Sequence, residues 1–188
     1  SVLTVTGAGV TQPIQNNKTA STFIFNLPVV FDSAGETETL RLNSGGDQSI
    51  TFSSSLTLND ELTVSGKNKL HDLNLDGALL GAGNLKFGAN TQANFGTSYD
   101  GSSHTGDVIA AGEVTIVSNV SDDGTFLKSG STIFLSSPGI IINVNGANTL
   151  KGNIAVNNSD PTLTVNANQS AIGTITIGTG TLNLALAA

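Results

Sequence analysis

The sequence has 188 residues, no cysteine and a formal net charge of -7, and only 11% of its residues are charged. This length suits one domain with a sizeable core, and the missing cysteines exclude disulfide bonds, thiolate metal sites and cysteine nucleophiles. The seven basic residues are dispersed along the chain, which argues against nucleic-acid binding because phosphate contacts need clustered Lys and Arg.

Short segments with alternating apolar residues follow one another along the whole chain, and each predicts a β-strand. In chain order, the clearest segments are 2–6, 22–26, 49–52, 55–58, 62–64, 73–75, 85–87, 113–117, 132–135, 140–144, 163–165, 174–177 and 182–186. Gly, Asn or Asp separates nearly every pair, as turn residues do. No stretch has the apolar spacing of a helix over three turns, so the sequence predicts an all-β protein.

Two architectures accommodate many short strands at this spacing: a parallel β-solenoid, and a β-sandwich or jelly-roll-like fold of antiparallel strands. Internal repetition favours the solenoid. Segment 64–70 matches 144–150 as V-x-G-x-N-x-L, and segment 80–87 matches 177–184 as apolar-G-x-G-x-L-x-apolar. Each motif is a turn followed by re-entry into a strand, as at a solenoid corner. The matches give no fixed repeat length, so the sandwich stays as the alternative.

The domain organisation predicted from this pattern is a single all-β domain over residues 1–188. Residues 1–55 have longer runs that contain Phe, so an internal junction near residue 55 is the alternative. No apolar run approaches 18 residues, which predicts no membrane-spanning helix. The chain begins without a basic and apolar leader, and we expect it to be a mature or excised form.

Three turn-strand signatures carry a resemblance to a known family. They are G-A-G-N-L-K-F at 81–87, N-G-A-N-T-L-K-G at 145–152 and G-T-G-T-L-N-L at 178–184. They resemble the passenger regions of Gram-negative autotransporters, including the rickettsial surface-antigen group, which are similar in lacking Cys and in being rich in Gly, Asn, Ser and Thr. The resemblance covers about residues 56–188. It implies a right-handed parallel β-solenoid carried at the cell surface for adhesion.

Candidates for acid-base chemistry are few, because the sequence has two histidines and one tyrosine. One set is His71 with Asp72 and Asp76. The other lies in the polar loop 97–107 and consists of Tyr99, Asp100, His104 and Asp107, with Ser102 and Ser103 in the same loop. The loop lacks the G-x-S-x-G elbow and the strand-turn-helix context of a serine hydrolase. We interpret these residues as solvated loop residues and predict that the protein is not an enzyme.

Metal binding has two candidate turns, at 59–61 (Asn-Asp-Glu) and at 122–124 (Asp-Asp-Gly), and the second is the better candidate. Asp122 and Asp123 precede a glycine, and one turn of this kind can offer several oxygen ligands to Ca²⁺. Neither the EF-hand spacing nor the calcium-binding nonapeptide repeat is present. Calcium at Asp122 and Asp123 is therefore the metal prediction, and no other cofactor is predicted.

Both ends of the chain read as apolar strands, at 2–6 and 182–187. Each strand either completes the chain's own sheet or pairs with a neighbouring copy, in which case strand addition would build a filament or lattice. The sequence leaves both alternatives open.

Low charge, absent Cys, dense turns and the lack of a catalytic set together predict an extracellular, cell-surface protein with a structural or adhesive role. Its expected partners are copies of itself or a host or matrix surface. The alternative is a glycan-binding or glycan-active β-module. Sugars usually stack on aromatic rings, and a chain with one Tyr, eight Phe and no Trp offers few of them.

Overall fold

A computed structural model describes residues 1–6, 14–16, 21–42, 48–66, 71–170 and 172–186. These residues contain no helix, and their twenty short strands pair only in parallel. The protein is a parallel β-solenoid of about seven turns. The favoured prediction is confirmed, and the antiparallel sandwich is excluded. Within the described ranges, no helix long and apolar enough to cross a membrane occurs.

The strands form three sheets that the chain visits in turn. The first sheet has four strands: β1 (Leu3–Val5), β4 (Val29–Phe31), β7 (Leu56–Leu58) and β10 (Leu79–Gly81). The second has eight: β2 (Ile14–Asn16), β5 (Glu38–Leu42), β8 (Leu62–Gly66), β11 (Leu85–Phe87), β13 (Val108–Ala110), β15 (Thr132–Leu135), β17 (Asn153–Ser159) and β19 (Ile175–Gly180). The third also has eight: β3 (Ser21–Phe25), β6 (Gln48–Phe52), β9 (His71–Leu75), β12 (Thr91–Phe95), β14 (Val114–Ser118), β16 (Ile141–Val144), β18 (Thr162–Val165) and β20 (Asn183–Leu186).

The cross-section changes after the fourth coil. The first four coils contribute one strand to each sheet, whereas the fifth, sixth and seventh coils have a corner of turns in place of the first-sheet strand. The first such corner still touches the coil before it through isolated parallel bridges from Ala78 to Asp100 and from Gly81 to His104. A three-stranded coil and a two-stranded coil therefore stack directly in this protein.

Columns of apolar side chains fill the interior, because alternate residues of every strand point inward. One column on the second sheet consists of Leu62, Leu85, Val108, Ile133, Ile154 and Ile175, in direct register from strand to strand. All of them except the last are at most 2% exposed. Successive members are 21 to 25 residues apart, so the coils differ in length while the column stays in register.

Aromatic rings reinforce this mostly aliphatic core at two levels. Phe25 stacks on Phe52 with ring centroids 4.9 Å apart. In the middle of the solenoid, Phe95 makes edge contacts with Tyr99 at 4.8 Å and with Phe126 at 4.9 Å. Such pairs add roughly 0.5–1.5 kcal/mol each beyond the burial of their area.

The sheets continue across the junction that the sequence suggested near residue 55. That position lies between β6 and β7. On the first sheet β4 pairs with β7, and on the third sheet β6 pairs with β9. The two terminal strands also pair within the chain, β1 with β4 and β20 with β18.

The sequence repeats proposed for the corners do not superimpose in the solenoid. Val64 lies on the second sheet, whereas its match Val144 lies on the third. Leu85 and its match Leu182 differ in the same way, because Leu85 lies in β11 on the second sheet and Leu182 just precedes β20 on the third. The repeats thus point to the correct architecture through turn chemistry that recurs at non-equivalent corners.

Replacing Leu85 with alanine should reveal how much the inward column contributes. Leu85 is fully buried, so Leu85→Ala should lower the free energy of unfolding by about 2–5 kcal/mol through lost burial and a residual cavity. The matched control is Lys86→Ala on the same strand, which points outward and removes only a 3.7 Å surface ion pair with Glu61; it should cost less than about 1 kcal/mol. Urea unfolding followed by circular dichroism measures both, and equal losses would contradict the column model.

Candidate interaction face

The loop that offered the best catalytic candidates folds as a coil corner with its rings turned inward. Tyr99 is 4% exposed and packs against Phe95, and His104 is 3% exposed. Burial raises the pKa of Tyr99 well above its ordinary value, and the charge of Asp100 raises it further. The interpretation of these residues as solvated is therefore wrong for both rings, which belong to the core.

His104 is fixed by a hydrogen bond to the coil before it. Its Nε2 lies 2.8 Å from the carbonyl oxygen of Gly83, and because a carbonyl oxygen only accepts, Nε2 carries the proton. Burial lowers the pKa of His104 below its ordinary value; the Gly83 hydrogen bond and the charge of Asp107 oppose this effect, and Lys128 adds to it. The neutral imidazole is thus the form that the fold stabilises.

The acidic residues of the same loop bind other partners. Asp100 accepts hydrogen bonds from the backbone N–H and the hydroxyl of Ser102, both at 2.9 Å. Asp107 accepts one from the backbone N–H of Thr132 at 2.9 Å. The hydrogen bonds of these side chains therefore do not link serine, histidine and aspartate in series, as a catalytic relay requires.

The second catalytic candidate set is divided between the two faces of a sheet. His71 points inward on β9 and is 1% exposed, whereas Asp72 follows it and points outward. Asp76 lies beyond the end of the strand. The absence of enzymatic activity stays a prediction, but these residues do not come together as the sequence spacing allowed.

The predicted calcium pair lies at an exposed corner and binds the next coil. An Asp122 carboxylate oxygen accepts a hydrogen bond from the Ala147 N–H at 2.7 Å, and Asp123 accepts one from the Asn148 side-chain amide at 2.9 Å. Among the residues that the structure describes, no group of three or more His, Asp or Glu side chains is placed to hold a metal ion. Two carboxylates fall short of the six to eight oxygens that Ca²⁺ takes, and calcium binding stays a prediction.

A recurring corner ahead of the second sheet ties successive coils together through side chains. The Oδ1 of Asn84 accepts a hydrogen bond from the N–H of Asp107 at 3.0 Å, and Asp107 in turn accepts one from Thr132. Two coils later, Asn153 accepts the N–H of Thr174 at 2.9 Å. Each acceptor stands directly before an inward aliphatic residue, so these hydrogen bonds help to set the register of the column.

Glycine precedes each of these three acceptors because the coils approach closely at this corner. A Cβ at Gly83 would lie 2.0 Å from the Asp60 carbonyl oxygen, and one at Gly106 would lie 2.2 Å from that of Gly83. The sequence signal is Gly, then Asn, Asp or Thr, then an aliphatic residue, at 83–85, 106–108, 152–154 and 173–175. The repeat is not apparent in the sequence, because its spacing varies with coil length.

The outer surface of the third sheet is a broad face that is almost free of charge. We call it the amide–hydroxyl face. Its outward residues are Thr22, Ile24, Ser49, Thr51, Asp72, Asn74, Gln92, Asn94, Thr115, Val117, Ile141, Asn143, Thr162, Thr164, Asn183 and Ala185. Asp72 alone among them is ionisable. Eight strands spaced 4.8 Å apart make the face roughly 34 Å long.

Hydrogen bonds between coils hold several polar side chains of this face in place. Asn94 donates to Asn74 at 2.9 Å, and Asn74 donates to the Thr51 hydroxyl at 3.1 Å. The Ser49 hydroxyl donates to that of Thr22 at 3.0 Å. These bonds order the side chains before any partner arrives, which lowers the entropy cost of binding.

A similar ladder of asparagines borders the face where the strands end. Asn145 donates to Asn119 at 2.7 Å, and Asn166 donates to Asn145 at 2.6 Å. Each residue directly follows a strand of the third sheet. The corner is therefore ordered by the same amide chemistry as the face beside it.

The second sheet has a different outer surface. Arg41 and Lys86 point outward from it, and Lys86 lies 3.7 Å from Glu61. Further along, its outward row passes through Ile109 and the half-buried ring of Phe134. This surface carries two cations beside apolar side chains, whereas the amide–hydroxyl face has one ionisable residue and mostly amide and hydroxyl side chains.

Searches of protein-family models, curated proteins and solved structures found no match to this chain. The resemblance to autotransporter passengers consequently stays a prediction from the sequence. What the chain does must be argued from its own surfaces.

Removing the Asp107 side chain should weaken the bond between two coils. Asp107→Ala leaves the Thr132 N–H without its acceptor and should lower the free energy of unfolding by about 1–3 kcal/mol. Asp107→Asn keeps an oxygen acceptor in the same place and should restore most of that loss. Urea unfolding compares the two variants, and an Asn variant as unstable as the Ala variant would refute the role of the hydrogen bond.

Burial of His104 should make stability fall as the pH drops below about 6.5, the ordinary value for histidine. Between that pH and the lowered pKa, the unfolded state binds a proton that the folded state does not, so acid favours unfolding. His104→Gln keeps an amide donor but cannot titrate. Its urea midpoint should change less between about pH 7.5 and about pH 5.5 than that of the unchanged protein, and most carboxylates titrate below this range.

His71 is present in both proteins, so the difference between their pH profiles isolates His104. Superimposable profiles would show that His104 takes up its proton equally well in the folded and unfolded states.

Proposed function

We propose that this protein is a non-catalytic, extracellular scaffold with a structural or adhesive role at a cell surface, and that it binds a neutral surface through the amide–hydroxyl face. The observation that carries the proposal is the composition of that face: sixteen outward positions in register, of which one is ionisable. A contact of this kind works by hydrogen bonds and methyl contacts spread over many strands.

Rigidity supports the structural part of the proposal. The inward columns continue from coil to coil, and side-chain hydrogen bonds at Asn84, Asp107, Asn145 and Asn153 link neighbouring coils. A stack fixed at so many levels presents its outer face as one surface. Adhesion through many weak contacts depends on such preorganisation, because each ordered side chain adds little entropy cost on binding.

The alternative glycan-binding function loses the two residues that the sequence offered for it, but one other residue favours it. Tyr99 and His104, the residues that the sequence offered for it, are buried and cannot stack on a sugar. Phe134 on the second sheet is a partly exposed, outward-facing ring beside Ile109, and aromatic rings of this kind can receive the apolar face of a sugar. Phe134→Ala would abolish binding to a polysaccharide if this alternative holds.

Binding to insoluble collagen fibres and to cellulose tests the proposed face. We expect saturable retention of the protein on at least one of these hydrogen-bonding surfaces, in either case through the amide–hydroxyl face and not through Phe134. Because ion pairs contribute little, retention should persist at high salt, which screens exposed charges. The variant with both Thr115→Lys and Thr164→Lys should lose at least about tenfold in affinity, which corresponds to about 1.4 kcal/mol.

The matched control carries Thr39→Lys and Thr176→Lys, two outward threonines of the second sheet, and should bind as the unchanged protein does. Absent retention, retention that salt removes, or an equal loss in the control variant would each count against the proposal. A loss with Phe134→Ala alone would transfer the function to the glycan-binding alternative.

A further inference from the structure

The asparagine ladder that borders the third sheet contains the one Asn-Gly pair of the sequence. Asn145 directly follows β16 and is exposed, and Gly146 comes next. No other asparagine of the chain is followed by glycine. Because glycine has no Cβ, its backbone nitrogen can approach the side-chain carbonyl carbon of the asparagine before it. This is the arrangement in which an asparagine side chain loses its amide nitrogen most readily.

The stacking of the coils requires both residues, for different reasons. The Asn145 amide donates to Asn119 at 2.7 Å and accepts from Asn166 at 2.6 Å, so the position needs a side chain that both donates and accepts. A Cβ at Gly146 would lie 2.0 Å from the carbonyl oxygen of Val120, so this position needs glycine. The reactive pair therefore follows from the contacts between coils.

The two reacting groups of this pair are held differently. The Gly146 carbonyl oxygen accepts from the Thr149 hydroxyl at 3.0 Å and from the Gln169 side-chain amide at 2.7 Å. Its N–H, by contrast, donates no hydrogen bond within the part of the chain that the structure describes. The Asn145 side chain is held at both polar atoms, and both must move when the planar amide carbon becomes tetrahedral. The ladder, and not the nitrogen that attacks, therefore limits the reaction.

We propose that Asn145 is a site of spontaneous deamidation, and that the asparagine ladder slows the reaction in the folded protein. The Gly146 nitrogen gives its proton to water and attacks Cγ of Asn145. A bond forms between that nitrogen and Cγ, the bond from Cγ to Nδ2 breaks, and Nδ2 leaves as ammonia with a proton from water. Water then opens the resulting succinimide at either carbonyl and leaves aspartate or isoaspartate.

The product changes the corner in two ways. A carboxylate accepts hydrogen bonds but does not donate them, so the bond from residue 145 to Asn119 is lost. The border of the amide–hydroxyl face also gains a negative charge, in a chain whose net charge is already -7. The modification thus alters this corner as the molecule ages, and it does not depend on the function proposed above.

Peptide mass spectrometry of the unchanged protein, incubated folded and in urea, tests the site. We expect Asn145 to deamidate before Asn74 and Asn94, which also form amide hydrogen bonds but precede Leu75 and Phe95. In urea the ladder is absent, so the rate at Asn145 should rise at least about tenfold, as the loss of two hydrogen bonds allows. Equal rates in both conditions, or an unfolded chain in which Asn145 stays intact, would overturn the proposal.

Two variants test the part played by the ladder. Asn166→Ala removes the donor to the Asn145 carbonyl oxygen, and Asn119→Ala removes the acceptor of its amide. Each should speed deamidation of the folded protein about fivefold, as the loss of one hydrogen bond allows. The matched control is Asn143→Ala, which lies outward on β16 outside the ladder and should leave the rate unchanged.

Urea unfolding of each variant, measured in parallel, shows that the chain is folded during the incubation. With two ladder variants, the comparison survives if one of them fails to fold. A folded ladder variant that deamidates no faster than Asn143→Ala would refute the protective role of the ladder.

Discussion

Each coil of this protein is held in place by the coils on either side, through parallel backbone pairing in a fixed register. A single coil has two or three short strands and could not bury its apolar side chains alone. Pairing puts like positions above one another, so that Leu85 rests on Leu62 and Val108 on Leu85. The interior columns, the corner hydrogen bonds and the flat outer faces all follow from this register.

The same register explains why the chain has so few charges. In a parallel stack, equivalent outward side chains lie one strand spacing apart, about 4.8 Å. Like charges at that distance repel, whereas an amide both donates and accepts, so Asn119, Asn145 and Asn166 form a continuous ladder. Asn, Ser and Thr are therefore the side chains that this architecture accommodates on its outside, and they are abundant in the sequence for that reason.

The strands were predictable because alternation is a local property, and all thirteen predicted segments overlap observed strands, although seven of the twenty strands were not among them. The choice between a solenoid and a sandwich was harder, since residues such as Leu62 and Leu85 meet only through pairing 23 residues apart. Val64 lies in the second sheet and Val144 in the third. Which sheet a strand joins also depends on how many corners precede it along the chain. The candidate face lies beyond sequence reasoning for the same reason, because its rows exist only once the strands are stacked.

The burial of Tyr99 and His104 was the least predictable feature of the catalytic candidates. Tyr99 and His104 stand in a segment rich in Gly, Ser and Asp, which reads as an exposed loop. The structure turns both rings inward because that corner replaces a strand of the first sheet and must cover the core that the strand would have covered. The loop is thus polar in composition but apolar in its inner surface.

Unequal coils give this protein room to change length during evolution. Val108 and Ile133 occupy the same column although 25 residues separate them, and Ile133 and Ile154 do so with 21. The extra residues are absorbed at corners, where lengthening a loop costs only a fraction of a kcal/mol, about 0.6 for each doubling. An insertion beside the exposed Ser102 and Ser103 would leave every column intact, so new peptide can be displayed from the edge of the solenoid without redesigning its interior.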